Sequence, residues 1–309
     1  MKTTRPMTKS PLALARTALA TAKIALLPYS SKYSRHDYTA PALRAPGPAR
    51  VPQDRLPRPG ADPPRLGRAA RHPRPGEGPR PLHPPEGGGA VARKEGVDAL
   101  LGQTVTEARA RRLIPARPKA AVDATGYETR HVSRYFAWRS KRSGKRRRQR
   151  AWPKLTAVLE TRSHLFLSAH VSRGPSQDSP QFKPTARAAC GRCPVDTLLG
   201  DGAFDAEHNH ALARQRLGVR STVFPLNRRN AGRKWPKTKY RRQMVRRFRR
   251  RPRGSKHRRV CGQRWQIESG FSRNKRLLGS ALRARKWVNQ KKEILMRVLT
   301  HNLMLLAAA

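Results

Sequence analysis

The sequence predicts an α/β fold, a mixed sheet flanked by helices, in the C-terminal two thirds of the chain. Two observations predict it, and a third bears on what the domain binds. Beyond about residue 96 the apolar pattern reads strand, strand, strand, strand, helix, strand, helix, helix, which suits a mixed sheet better than an alternating doubly wound one. Residues 41–90 are the reverse case: they hold 14 of the 27 prolines, nine Arg and no Phe, Trp or Tyr. Such a stretch cannot bury enough apolar surface to offset its ordering entropy. The third is charge. With 69 Lys and Arg against 18 Asp and Glu, the formal net charge is +51, far beyond what solubility needs, and its natural counterpart is a polyanion such as nucleic acid.

The expected organisation is a helical segment over 1–40, a Pro/Arg-rich disordered stretch over 41–95, and a folded domain over 96–309 with a basic insertion at about 227–260. The N-terminal "SPLALARTALATAKIALLPYS" resembles a secretory leader for some ten residues, but Arg16 and Lys23 interrupt it and no small-residue cleavage site follows. An amphipathic helix over 11–26 is the better reading. "VDALLGQTVTEARARRLI" (97–114) has helical apolar spacing, and "PARPKAAVDATG" (115–126) reads as a loop and a short strand ending at Asp123. "KLTAVLETRSHLFLSAHVS" (154–172) reads as two strands, rich in Val, Leu, Thr and Phe. "VDTLLGDGAF" (195–204) is a buried strand ending at Asp201, and "DAEHNHALARQRLG" (205–218) a helix with Asp205 as N-cap and Gly218 as its stop. "VRSTVFPL" (219–226) is another strand. Residues 227–260 carry 17 Lys and Arg and no acid, a helix over 262–278 bears Glu268, and residues 291–309 form the last helix.

The same totals exclude several classes. No run of 18 apolar residues exists, so no membrane span is expected. Three Cys are too few for a disulfide framework, which fits a reducing cytoplasm. "CGRC" (190–193) is half a zinc site at most, because His208 and His210 face different ways on a helix. No phosphate-binding G-x4-G-K-[ST] loop occurs.

Three acids stand out. Asp123 and Asp201 each close a strand and are followed by small residues ("DATG", "DGAF"), while Glu268 is the first acid to follow the span His208–Ile267, which holds 21 Lys and Arg and no Asp or Glu. Taken singly, each is most simply a salt-bridge partner. Taken together, they could hold a pair of Mg²⁺ or Mn²⁺ ions, roughly 4 Å apart, that activate a water or 3′-hydroxyl for in-line displacement at phosphorus. Arg264, Glu268, Phe271 and Lys275 follow at i, i+4, i+7 and i+11 and share one helix face. The two cations suit phosphates beside a scissile bond, although Arg264–Glu268 is also an ordinary i,i+4 pair. Of the two acids in "DGAFD", Asp201 is the better ligand, since helix capping accounts for Asp205. "RSKRSGKRRRQR" (139–150), with Arg146, Arg147 and Arg148, and the 227–260 run read as surfaces that track a phosphate backbone. Trp138, Trp152, Trp235 and Tyr240 flank these runs and either stack on unpaired bases or pack on neighbouring strands.

These residues carry a resemblance. "R-W-Q-I-E-S-G-F-S-R-N-K" (264–275) fits the R-x3-E-x6-K part of the Y-x2-R-x3-E-x6-K signature of a large group of bacterial insertion-sequence transposases, DDE enzymes with a ribonuclease H-like catalytic fold. "VDATG" resembles their first-Asp segment and "LLGDGAFDAEHN" their second. The resemblance implies that Asp123, Asp201 and Glu268 are the catalytic, metal-binding triad and that Arg264 and Lys275 contact DNA. It implies Mg²⁺-dependent hydrolysis and strand transfer without a covalent protein intermediate, and a nucleoid-associated enzyme acting as a homo-oligomer on transposon ends and target DNA. The signature's Tyr falls on Cys261, and Gly200 stands where Ala is usual before the second Asp. Family members also carry a helical, Leu-rich segment where 41–90 stands; the Arg, Pro, Gly and Ala found there are what a GC-rich gene yields out of frame. The expectation is a pair of compensating frameshifts, which would keep the catalytic residues and lose much of the N-terminal DNA-recognition or folding region, with inactivity of this copy as one outcome. The alternative is a non-catalytic basic nucleic-acid-binding protein; a ribosomal or chromatin-like packing role leaves the placement of both Asp unaccounted for.

Overall fold

The computed structural model describes residues 6–26, 94–129, 151–227, 236–249 and 260–309. The Pro/Arg-rich stretch, the Arg146–Arg148 run, Trp138 and Trp235 lie outside the described residues.

The sheet has five strands: β1 (Lys119–Gly126), β2 (Trp152–Glu160), β3 (Phe166–Gly174), β4 (Thr197–Leu199) and β5 (Ser221–Val223). They lie in the order β3-β2-β1-β4-β5. β1, β2 and β3 form an antiparallel meander, while β4 and β5 add in parallel on the other side of β1. This is a mixed, ribonuclease H-like sheet. β4 and β5 have three residues each, much shorter than the apolar runs suggest, because only their buried centres pair.

Alternation along β1 sends neighbouring side chains to opposite faces. Ala120 and Val122 join one core with Phe182, Ala186, Phe204 and Phe224. Ala121 joins the other with Leu159, Phe166, Ile267, Phe271 and Ile294. Helix α1 (Pro11–Ala25) has Ser10 as its cap and Pro11 in its first turn. It buries Ala18 and Ala22 against Leu100 of α2 (Lys94–Ala110) and Leu299 and Leu303 of the last helix.

Helix α3 (Ser179–Arg192) was not anticipated. Pro180 in its first turn is well placed for a helix start, but Pro184 lies inside it and masks the periodicity. The predicted helix at 205–218 is corrected. It is a short helix α4 (Glu207–Ala211) running into a π-helical turn (Leu212–Arg216), and its N-cap residue is Ala206. Asp205 does not cap it. Gly218 does take a left-handed conformation at the stop, with φ +67°. The basic insertion contains a helix, α5 (Lys239–Arg249). Helices α6 (Trp265–Leu278) and α7 (Trp287–Leu306) close the second face. Asn302 on α7 binds the edge strand β3 like another backbone: its Oδ1 accepts from the Phe166 N–H at 2.9 Å and its amide donates to the Phe166 carbonyl at 2.9 Å. Among the described residues no helix is long and apolar enough to cross a membrane.

Candidate active site

Asp123 sits inside β1 rather than at its end, a correction to the sequence reading. Its parity with Ala121 turns it to the face covered by α6. Asp201 follows β4, the strand beside β1, by two residues. Its Oδ1 accepts from the Ala203 N–H at 2.7 Å and caps a single 3₁₀ turn, Gly202–Phe204. Glu268 lies in the first turn of α6, where the positive end of a helix favours an acid. All three therefore come from adjoining elements, two by strand order and one by the helix laid across them.

Glycines set the spacing. A Cβ at Gly270, two residues after Glu268, would collide with Leu159 of β2; its absence lets α6 lie close on the sheet. A Cβ at Gly200 would stand 3.0 Å from the Phe224 ring and 3.1 Å from Val122. Packing by those two side chains explains why this position carries Gly.

The electrostatics link the three acids. Burial, with the Asp201 and Glu268 carboxylates adding to it, pushes the Asp123 carboxyl up to about 6, against the opposing Ala124 N–H and Arg264. Its Oδ1 accepts from the Ala124 N–H at 2.8 Å. Glu268, half exposed, pairs with Arg264 at 2.9 Å, as the i,i+4 spacing predicts. Asp123, Thr125, Glu268, Ser272, Lys275 and Arg276 line an open groove of about 560 Å³. Lys275 donates to Thr125 Oγ1 at 2.8 Å and to the Gly126 carbonyl at 2.7 Å, pinning α6 to the end of β1, and its ammonium keeps a third N–H.

The donor set is chemically right for a hard divalent cation, because carboxylate oxygens crowding a partly buried Asp are relieved by positive charge. It is not closed: among the described residues no three His, Cys, Asp or Glu groups stand close enough together to hold a metal ion. Glu268 would have to leave Arg264 to complete the set.

Asp205 was assigned the wrong task. Its buried carboxylate accepts from the Arg241 Nε–H at 3.1 Å and the Asn227 N–H at 2.9 Å, and lies 3.4 Å from His210 Nε2. Burial alone would raise its pKa; these bonds outweigh burial and hold the carboxyl below its ordinary range. Glu207 accepts from the backbone N–H groups of Tyr240 and Arg241, at 2.9 and 3.1 Å. The two acids thus clamp α5 to the domain. A signal existed in the alternating acids of "DAEH" facing a run without any acid. Tyr240 is buried, and its hydroxyl accepts from Gln215 at 3.0 Å, so the packing alternative describes it. Trp152 packs on Gly126 and Gly174. Among the described residues Cys190 and Cys193 bring no third ligand, and burial raises both thiols. Cys261, at the signature's Tyr position, packs against the second core.

Sequence comparison identifies the domain that carries these residues. The family profile described as "Transposase DDE domain" matches residues 115–303, more than half of the chain. The chain belongs to the transposase DDE domain family. The matched span begins just before β1 and ends within α7, so it takes in the whole sheet and all three acids. No curated protein matches the chain.

Proposed function

We propose that this transposase binds transposon-end DNA of an insertion sequence and catalyses metal-dependent strand cleavage and strand transfer. One observation carries the reading. In a chain with 69 Lys and Arg, neither Asp123 nor Asp201 forms a salt bridge with any described residue, although Asp98, Glu107, Asp178, Asp196, Asp205, Glu268 and Glu293 all do; Glu128, Glu160 and Glu207 lack one too, but the Asp123 carboxyl is also pushed up to about 6 by burial, with Asp201 and Glu268 adding to it. Two acids without an ion pair in so basic a protein, near a third that is half exposed, suit a ligand of higher charge than a guanidinium.

Asp123, Asp201 and Glu268 would hold Mg²⁺ or Mn²⁺, which would supply Lewis-acid assistance at the phosphate. The residues of the chain do the rest. Glu268 turns from Arg264 toward Asp123, and Arg264, released, becomes available to a phosphate oxygen. Lys275 offers its remaining N–H to the groove from a fixed position. The groove is open enough for a DNA backbone, and α5 adds the exposed Arg242 and Arg246 to the positive surface of the domain. Assembly as a homo-oligomer on DNA and location with the nucleoid belong to the same proposal, as does a frame slip over 41–90, which the third-base composition of the gene would test.

The deciding experiment incubates supercoiled plasmid with the protein and Mg²⁺ or Mn²⁺. Nicking that requires the metal and falls at least about 10²-fold in Asp123→Ala supports the proposal; a change of that size is usual when a preorganised electrostatic contact is lost from a transition state. Salt-sensitive binding without nicking, identical in the variant, would establish the non-catalytic binder instead.

A further inference from the structure

A second cleft opens at the opposite end of the sheet. It encloses about 350 Å³ between the start of β1, the β2–β3 turn, the residue before β4 and the approach to α6. Arg117, Lys119, Arg162, Gln263 and Gln266 line it. Lys119 precedes Asp123 by four residues, which places it about 13 Å away along an extended strand.

The charges in this cleft are unequal in a way that formal counting hides. Its two acids are occupied. Glu160 accepts from the Arg162 N–H at 3.0 Å and from both the N–H and the hydroxyl of Ser163 at 2.6 Å. Asp196 accepts from the Thr197 hydroxyl at 2.9 Å and pairs with Arg220 at 2.7 Å. The side chains of Arg117, Lys119 and Arg162, in contrast, make no hydrogen bond or ion pair with any described residue. Gln266 has its Oε1 2.6 Å from His164 Nε2, which leaves its amide hydrogens as further donors. Asp196 is neutralised by Arg220, so three unpaired cations with carboxamide donors stand against the single charge of Glu160, an excess of two positive charges that forms a seat for an anion.

We infer that this cleft is a second phosphate-binding site and that it holds the DNA backbone. The inference rests on the DNA-cutting reading above. Phosphate diesters are favoured because the two clefts meet at one short piece of chain. Gln263 and Gln266 belong to this cleft and Glu268 to the groove, so one strand passing the start of α6 touches both. At 3.4 Å of rise per nucleotide, a separation of about 13 Å corresponds to about four nucleotides. The contact would fix the strand's path without reading its bases.

Two measurements on the full chain test this. In the first, lysines are acetylated with and without a duplex and quantified by mass spectrometry. Lys119 should be protected by DNA, whereas Lys183, exposed on α3 across the sheet, should not. Equal protection of the two overturns the site. Protection of Lys119 by a mononucleotide at matched phosphate concentration, equal to that by DNA, assigns a small phosphate ligand and overturns the DNA reading. In the second, the salt dependence of DNA binding is compared for Arg117→Ala/Arg162→Ala and a control, Lys183→Ala/Arg187→Ala. The first pair should reduce the slope of log K against log salt by about 2, at roughly 0.9 per lost phosphate contact, and the control should change it by much less. Equal slopes for the two pairs overturn the inference. A wild-type protein that never nicks plasmid yet protects Lys119 from acetylation would remove the catalytic proposal and leave this contact standing.

Discussion

The pocket beneath α5 and the groove beside α6 both contain carboxylates, and they treat them in opposite ways. Under α5, Asp205 and Glu207 are saturated by donors: a guanidinium, three backbone N–H groups and a nearby imidazole. In and beside the groove, Asp123 accepts only from the next N–H of its strand and Asp201 only from an N–H of its own 3₁₀ turn, and Asp123 is raised by burial with the other acids adding to it. Overall charge is the same background for both. The difference teaches that position, and not the abundance of Arg and Lys, decides whether an acid serves folding or is held in reserve for a ligand.

The contrast can be broken most directly in the clamp. Asp205→Ala leaves Arg241 and the Asn227 N–H without their partner and should cost about 3 kcal/mol, the scale for removing one member of a buried pair. It would appear as a lower denaturation midpoint, and an unchanged midpoint would place Asp205 with the groove acids. Asp123→Asn should do the reverse. A carboxyl raised to about 6 is charged at a cost in the folded protein above that pH, and the cost is relieved as pH falls from about 6 toward the unfolded value near 4. At pH 7 without metal, the variant should therefore be more stable than the wild type by about 1–2 kcal/mol. Mg²⁺ should raise the melting temperature of the wild type and leave that of the variant unmoved.

Gly270→Ala sharpens the comparison through spacing. The new methyl meets Leu159, and relieving such overpacking costs about 1–3 kcal/mol. If α6 moves outward to relieve it, Mg²⁺ stabilisation should shrink along with stability, while the α5 clamp, probed by proteolysis within the insertion, should be unaffected. The smallest effect belongs to Arg264→Ala. The pair with Glu268 is half exposed, so stability should change by no more than about 0.5 kcal/mol. Divalent-ion binding should become tighter, because Glu268 no longer has to leave a partner. Weaker metal binding in this variant would sink the proposed motion of Glu268.

Much of this was readable from the chain. The two strands at 154–172 and the helix carrying Glu268 were legible because each depends on a strong local pattern, and the three proposed ligands stand out in the sequence by position and motif. The rest was not, for physical reasons. α3 was hidden by Pro184, which the helix tolerates through its packing of Phe182 and Ala186 on the sheet. The extents of β4 and β5 depend on where neighbouring strands stop pairing, which no local run of apolar residues records. Asp205 looked like a cap because capping is local, whereas its actual donors come from residues 22 and 36 positions later. Asp123 was misplaced at a strand end, although its parity with Ala121 was already in the sequence.

The seat of α1 has a consequence for the gene. Ala18 and Ala22 fit against Leu100, Leu299 and Leu303, and the Thr8 N–H donates to the Met304 carbonyl at 3.0 Å. Translated segments on either side of the proline-laden interval are thus mutually complementary, which random codons would not be. On the proposed frame slip, any nucleotide gained or lost there must be offset before the frame that encodes α2 resumes, so sequencing should find a matched pair of lesions between the codons of α1 and α2.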